Sequence, residues 1–254
     1  PPVRPFHALS AVIKLVRNKE DTRQVFEAVR AMSGRAGKRM FKRFLATDYG
    51  RRVISEPVKL EEILSDRVRL RALPEGSVGR AYLAFMEGEN LTIDGLRAAA
   101  READVDFDRP TDFENYRRLF MHTQTSHDLW HVLTGYGRDA IGEMCNLCFT
   151  RAQSRNPGFR LIIWIGILAM KRRRPGQPIW RVANEARRIG ENAEWILGVD
   201  VEELLPLPLG EARRRLKIGE PVVYKSIPDE VKRTIMKPEV VETQAEREAR
   251  LAGA

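Results

Sequence analysis

The chain has 254 residues, 43% of them apolar, enough to bury a large core and too evenly aliphatic for intrinsic disorder. Eighteen glycines and fourteen prolines exclude a fibrous or low-complexity chain, and two cysteines cannot staple a fold of this size. Forty-four Lys and Arg against 35 Asp and Glu leave a net charge of +9. That excess points to an anionic partner: nucleic acid, an acidic membrane surface, or a phosphorylated or carboxylated small molecule.

Apolar spacing of three and four predicts helices almost throughout. Phe6, Leu9, Val12, Ile13 and Val16 mark a first helix, and Val25, Phe26, Val29 and Met32 a second over 21–32. After the small, basic segment 33–38, Met40, Phe41, Phe44 and Leu45 resume the pattern. Helices follow over 60–64 and 78–86, the latter with Ser77 as its N-cap. Residues 94–112 read as a short helix and a polar loop. Further helices are predicted around 113–134, 138–154, 159–171, 178–197 and 209–217, with turns at Gly135/Gly137, 156–158 and 175–176. Only 221–224 alternates, and weakly. The expected fold class is all-α: one multi-helix domain over 1–228, then a charged tail over 229–254.

The start at Pro1-Pro2 lacks the pattern of a secretory signal peptide. The longest apolar run, LIIWIGILAM at 161–170, is ten residues or ~15 Å of helix, about half a bilayer core, so it cannot cross a membrane. The four basic residues at 171–174 follow it directly. A buried core helix ending in a solvated basic turn is the first reading. An interfacial anchor, with Trp164 at the acyl boundary and the basic turn on lipid phosphates, is the second.

Three of the four histidines, His122, His127 and His131, fall within ten residues. His127 and His131, four apart on a helix, are turned ~40° from each other and stacked ~6 Å apart, so both reach one ion. Asp128 can join from the flank. Glu143, twelve residues beyond His131, would lie ~18 Å away on a straight helix. A break at Gly135 and Gly137, with the next helix running back, would bring it opposite the histidines. This donor set suits Zn²⁺ best, Fe²⁺ or Mn²⁺ next, and disfavours Mg²⁺ and Ca²⁺. On chemistry alone, such a face is as readily a hydrogen-bonded polar surface as a metal site. His122, ~140° around the helix from His127, reads as a surface or packing residue.

Cys145 and Cys148 form a lone CxxC without a preceding strand and read as small buried residues. No P-loop, nucleophile elbow or zinc-finger spacing appears. The basic clusters at 35–43, 151–160, 171–174 and 213–217 lack interleaved aromatics, so nucleic acid is not expected as a partner.

The motif His127-Asp128-x-x-His131, then eleven residues, then Glu143, with Gly135 and Gly142 inside, resembles the signature of the ubiquinone-biosynthesis Coq-four family. The segment LPEGSVGRAYLAF at 73–85 is similar to that family's LPxGTLGxxYxxF stretch. EELLPLPLGEAR at 202–213 is similar to its LLxxPLxEVR ending. Ser77-Val78 stands where Thr-Leu is common, and Gly210 where an acidic residue is common. The resemblance covers roughly residues 20–220 and implies helices packed around a metal site and an apolar groove. It implies a metal, usually zinc, held by His127, Asp128, His131 and Glu143. These four are the expected catalytic set.

The activity implied is C1 decarboxylation, in some descriptions oxidative with hydroxylation, of a polyprenylated hydroxybenzoate. Its implied partners are a polyprenylated aromatic lipid, an anionic membrane surface and other ubiquinone-biosynthesis proteins, with a homodimer as a further candidate assembly. Localisation would be cytoplasmic, peripheral on the inner (cytoplasmic) membrane. Leu83, Phe85, Met86, Leu161, Ile165 and Leu168 are candidates to line a slot for the prenyl tail. A non-catalytic prenyl-lipid scaffold and a basic nucleic-acid binder are the rival classes.

Overall fold

The helices form where apolar spacing supplies a buried face and short polar side chains start them. They are seen in a computed structural model whose described residues are 4–17, 29, 31, 32, 35–56, 60–89 and 114–236. In chain order the first helices are α1 (Pro5–Arg17), α2 (Ala36–Leu45), α3 (Asp48–Ser55), α4 (Leu60–Ser65), α5 (Arg67–Ala72) and α6 (Val78–Gly88). Then come α7 (Glu114–Thr125), α8 (His127–Thr134), α9 (Ala140–Ser154), α10 (Gly158–Arg173) and α11 (Ile179–Asn192). A 3-10 turn (Ile196–Gly198) leads into α12 (Val201–Leu204), α13 (Leu209–Arg215), α14 (Val222–Lys225) and α15 (Asp229–Thr234). Among the described residues no strand forms, and the only β-type pairing is an isolated bridge between Ser77 and Pro208. Most of the helix expected at 21–32, and the segment 94–112, lie outside the described residues.

Ser77 caps α6 as expected, its hydroxyl accepting from the Arg80 amide, and Thr47, Asp66, Asp139 and Asp200 do the same for their helices. The main apolar core gathers Phe44, Tyr82, Leu83, Trp130, Leu133, Phe149 and Leu197. A second core joins α9, α10 and α11 to the C-terminal segment through Cys145, Ile167, Val182, Tyr224 and Ile235. In a third, Ala11 and Val12 of α1 pack on Ile162 of α10.

Three expectations change. Packed structure continues past residue 228: α15 lies against α9, and Ile235 is buried because that surface offers it an apolar seat. The stretch 221–224, which alternates weakly, is helical, with the Glu185 carboxylate accepting from the amides of Val223 and Tyr224. The apolar run 161–170 is a helix but not a fully buried one. Ile162, Ile167 and Met170 are covered, whereas Trp164 is 55% and Leu168 42% exposed. A helix apolar all round needs neighbours all round, and α1, α9 and α11 cover only part of it.

The six candidate slot residues separate as well. Leu83 and Met86 are core, with Phe85 packed against the same cluster; Leu161 and Ile165 lie on the α1 side, and Leu168 is exposed. They belong to different apolar clusters and do not line one slot.

Candidate metal centre

The helix expected over 113–134 is interrupted once, at Ser126, so that α8 begins at His127. It ends where predicted. Gly135 takes the left-handed conformation (φ 79°), which only glycine adopts without strain, and its amide caps the His131 carbonyl at 2.8 Å. Asp139 then starts α9, its carboxylate accepting from the amides of Ile141 and Gly142. A Cβ on Gly142 would overlap the Gly137 carbonyl, so glycine lets α9 pass directly against the turn.

That turn places three side chains together. One ligand atom each from His127, His131 and Glu143 lies within 4.8 Å of the others. Both Nε2 atoms face the same oxygen: His131 Nε2 is 3.4 Å and His127 Nε2 3.9 Å from Glu143 Oε2. Ligands around a tetrahedral ion with bonds of ~2.0–2.1 Å sit ~3.3 Å apart, so the His131–Glu143 spacing matches a shared ion and His127 would close in by a small movement. The opposite ring nitrogens are already engaged. His131 Nδ1 is 3.1 Å from the Tyr136 carbonyl, and His127 Nδ1 3.4 Å from Asp128 Oδ1. A proton held on each Nδ1 by an oxygen leaves Nε2 with a free lone pair, the tautomer a metal requires.

Polar atoms left without partners point the same way. Asn146 Oδ1 is buried and makes no hydrogen bond, and the buried His131 Nε2 has only the 3.4 Å approach of the Glu143 carboxylate. The Asn146 Nδ2 atom approaches His127 Nε2 at 3.3 Å. Burying such atoms unpaired costs free energy that an ion or substrate would recover. The donor set of two imidazoles and a carboxylate therefore fits a divalent metal.

Asp128 stands apart from the three converging donors and instead orients the His127 ring. Arg138 reaches Glu143 Oε1 at 3.7 Å, and Phe85 of α6 stacks on His131 with ring centroids 5.7 Å apart. Burial alone would raise the Glu143 and Asp128 carboxyls, but the facing histidines and Arg138 hold both below their ordinary values. Burial likewise opposes charge on His127, yet Asp128 and Glu143 outweigh it and raise its pKa.

Sequence reasoning missed Arg138, Asn146 and Tyr224. Asn146 was visible in principle, three residues past Glu143 on the same helix face. Tyr224 lies 85 residues from Asp139, and its hydroxyl donates to Asp139 Oδ2 at 2.5 Å while accepting from the Gly137 amide at 2.9 Å. Arg213 adds a second clamp, donating to the carbonyls of Leu133 and Val132 at the end of α8. Tyr224→Phe is expected to destabilise the fold by about 1–2 kcal/mol and to weaken metal binding about tenfold, because it frees the turn that aligns the two helices. Urea melts and metal titration of the purified variant check both.

His122 is a buried packing residue against Phe44 and Tyr49. Cys145 and Cys148 are buried free thiols, as expected, and burial pushes Cys148 up to about 12, away from reactivity.

Fold and site together define an all-helical protein in which two histidines and one carboxylate converge across a glycine turn as a candidate metal-binding triad. Residues 5–222 match the family model described as "Coenzyme Q (ubiquinone) biosynthesis protein Coq4". The chain belongs to that family. Similar relatives include the mitochondrial ubiquinone biosynthesis protein COQ4 homologs of Bos taurus, 29% identical over 172 residues, and of Danio rerio, 29% over 179. The matches cover 68% of this chain in both cases, and 62% and 61% of those relatives, so the chain spans about three fifths of their length. A crystal structure of a Nostoc punctiforme protein named for ubiquinone biosynthesis shares the fold. Its TM-score is 0.57 at 19% identity, covering 86% of this chain and all of that one.

Proposed function

We propose that the protein serves ubiquinone biosynthesis by removing the C1 carboxylate of a polyprenylated hydroxybenzoate at this centre. The observation that carries the reading is the convergence of His127 Nε2, His131 Nε2 and Glu143 with both Nδ1 atoms tied back. Zinc is the metal best suited to that set, ahead of Fe²⁺ or Mn²⁺, and when bound it supplies Lewis-acid stabilisation of oxygen-centred charge.

The chemistry sets what the side chains must do. An aryl carboxylate cannot leave as carbon dioxide while a bare ring anion would result. Ionising the para hydroxyl lets C1 accept a proton as a dienone, and loss of carbon dioxide then restores the aromatic ring. Arg138, half-buried beside Glu143, is placed to favour the phenolate or to hold the carboxylate. Asp128 fixes the His127 ring, and Phe85 excludes water from one side of His131.

Exposed apolar side chains on α1 and α10 support peripheral membrane attachment. Phe6 is 87% exposed, Leu9 and Ile13 are also exposed, and Trp164 and Leu168 stand on the helix that α1 packs against. The basic residues 171–174 close that helix and suit anionic headgroups. No helix among the described residues is long and apolar enough to cross a membrane. Attachment at the cytoplasmic face of the inner membrane and association with other ubiquinone-biosynthesis proteins belong to the same reading.

The test is turnover of a prenylated 4-hydroxybenzoate by the zinc-loaded chain in mixed micelles, followed by lipid mass spectrometry. Hydrogen or hydroxyl at C1 of the product separates simple from oxidative decarboxylation. Retained substrate with no turnover, metal present, would replace the enzyme with a prenyl-lipid scaffold.

A further inference from the structure

Two basic clusters 110 residues apart in sequence meet at one surface cleft far from the metal centre. Arg43 of α2 donates from Nη1 to the Gln153 carbonyl at 3.5 Å, bringing it against the C-terminus of α9. The cleft, about 510 Å³, is lined by Arg43, Arg151, Arg155, Arg160, Gln153 and Glu191 among others. It lies where α9 ends, α10 begins and α11 ends. Arg151 is eight residues beyond Glu143 on α9, ~12 Å along the helix, so the two sites occupy opposite ends of one rod.

Helix C-termini attract cations, which is the simplest reason for arginines to gather there. It does not account for these. Three carbonyls of the cleft already have other donors: Gln153 Nε2 donates to those of Gly190 (2.7 Å) and Ala193 (3.4 Å), and Arg43 takes that of Gln153, so none of them falls to Arg151, Arg155 or Arg160. Glu191, the one carboxylate in the lining, is paired to Arg187 at 2.5 Å. Arg151, Arg155 and Arg160 have no ion pair among the described residues. Arg155 is held in the left-handed conformation (φ 50°), unusual for a non-glycine residue. Arg43 sits over the Trp195 ring, its guanidinium carbon 4.3 Å from the centroid. Like charges crowd together here, for Arg155, after burial itself, lowers the pKa of Arg43.

We propose that this cleft binds a diphosphate group. Three guanidiniums without an ion pair among the described residues, beside a fixed fourth, match the charge of about −3 on a diphosphate near neutral pH, which a single phosphate of about −2 leaves under-compensated. Guanidinium forks are the side chains best shaped for phosphoryl oxygens. The lining has no aromatic face open for stacking a base, since Trp195 is buried and covered by Arg43. The diphosphate is therefore borne either on a soluble molecule or on a lipid headgroup, and the chemistry of recognition is the same for both.

Isothermal titration of the full chain with inorganic pyrophosphate tests this. One saturable site is expected, weakened about 100-fold in Arg151→Gln/Arg155→Gln, roughly tenfold for each guanidinium removed. Arg160→Gln alone should weaken it about tenfold, and the control pair Arg69→Gln/Arg71→Gln, exposed on α5 outside the cleft, should leave it unchanged. Circular dichroism and retained metal verify that each variant is folded. Flotation with phosphatidylcholine vesicles carrying CDP-diacylglycerol assigns the source. Flotation lost in the double variant marks a lipid-borne diphosphate, and pyrophosphate binding without flotation marks a soluble one. Absence of saturable pyrophosphate binding, equal weakening in the control pair, or Arg151/Arg155-dependent binding of DNA with none of pyrophosphate would overturn the proposal.

Discussion

Glu143→Gln is expected to lower tightly bound divalent metal from ~1 ion per chain to near zero, with His131→Ala doing the same. The glutamine variant keeps the shape of the side chain and removes only its charge and one ligand oxygen, so the helices that carry it stay packed. His131 is buried beneath Phe85, and its alanine variant also opens a cavity, which makes the glutamine variant the cleaner reading. Asp128→Asn should behave differently. Its carboxylate holds the Nδ1 proton of His127 rather than joining the three converging donors, so metal affinity should fall about 10–100-fold and not vanish. Elemental analysis after dialysis against a zinc buffer measures all three. Full metal content in Glu143→Gln would sink the assignment. Chelation should lower the urea midpoint without unfolding the chain, because the centre sits at the junction of two apolar cores that pack independently of it.

The sequence carried the helices and the turn because both are local. Three- and four-residue spacing marks a helix face, and Gly135 marks a helix end, whatever the rest of the chain does. The convergence of Glu143 on His127 and His131 followed from that one glycine break. What the sequence could not show depends on long-range packing. Tyr136 supports His131 through a backbone carbonyl, which no residue pattern records. Tyr224 and Arg213 brace the turn from about 80 residues away. The ten apolar residues of 161–170 look the same whether or not a neighbour covers Trp164, and only the fold shows that face bare. Arg43 and Arg155 belong to separate basic clusters in sequence, and their meeting is a property of how α2 crosses the end of α9.

His122 gives the second large effect, through acid. It is buried in an aromatic box, 5.5 Å between ring centroids from Phe44 and 5.4 Å from Tyr49, and its Nδ1 has no hydrogen-bond partner. Burial pushes its pKa down to about 4, because an imidazolium there would lose its hydration with nothing to replace it. In the unfolded chain the same ring titrates near 6.5. As pH falls below ~6.5 the unfolded state takes up a proton that the folded state refuses, so stability is lost down to pH ~4 and then levels off. The full difference of 2.5 pH units corresponds to about 3 kcal/mol, of which about 2 kcal/mol is lost between pH 7 and pH 5. Other groups titrate in the same range. His127, with its raised pKa, favours the folded state as pH falls, and Asp128 and Glu143 weaken it only near and below the ordinary carboxylate range. A variant comparison removes those contributions. His122→Phe fills the same aromatic space without a titrating group, so its urea midpoint should fall less than that of the parent chain between pH 7 and pH 5, by the equivalent of about 2 kcal/mol. Parallel acid profiles for the two proteins would mean that the ring is charged in the folded state or reaches water, contrary to its place between Phe44 and Tyr49.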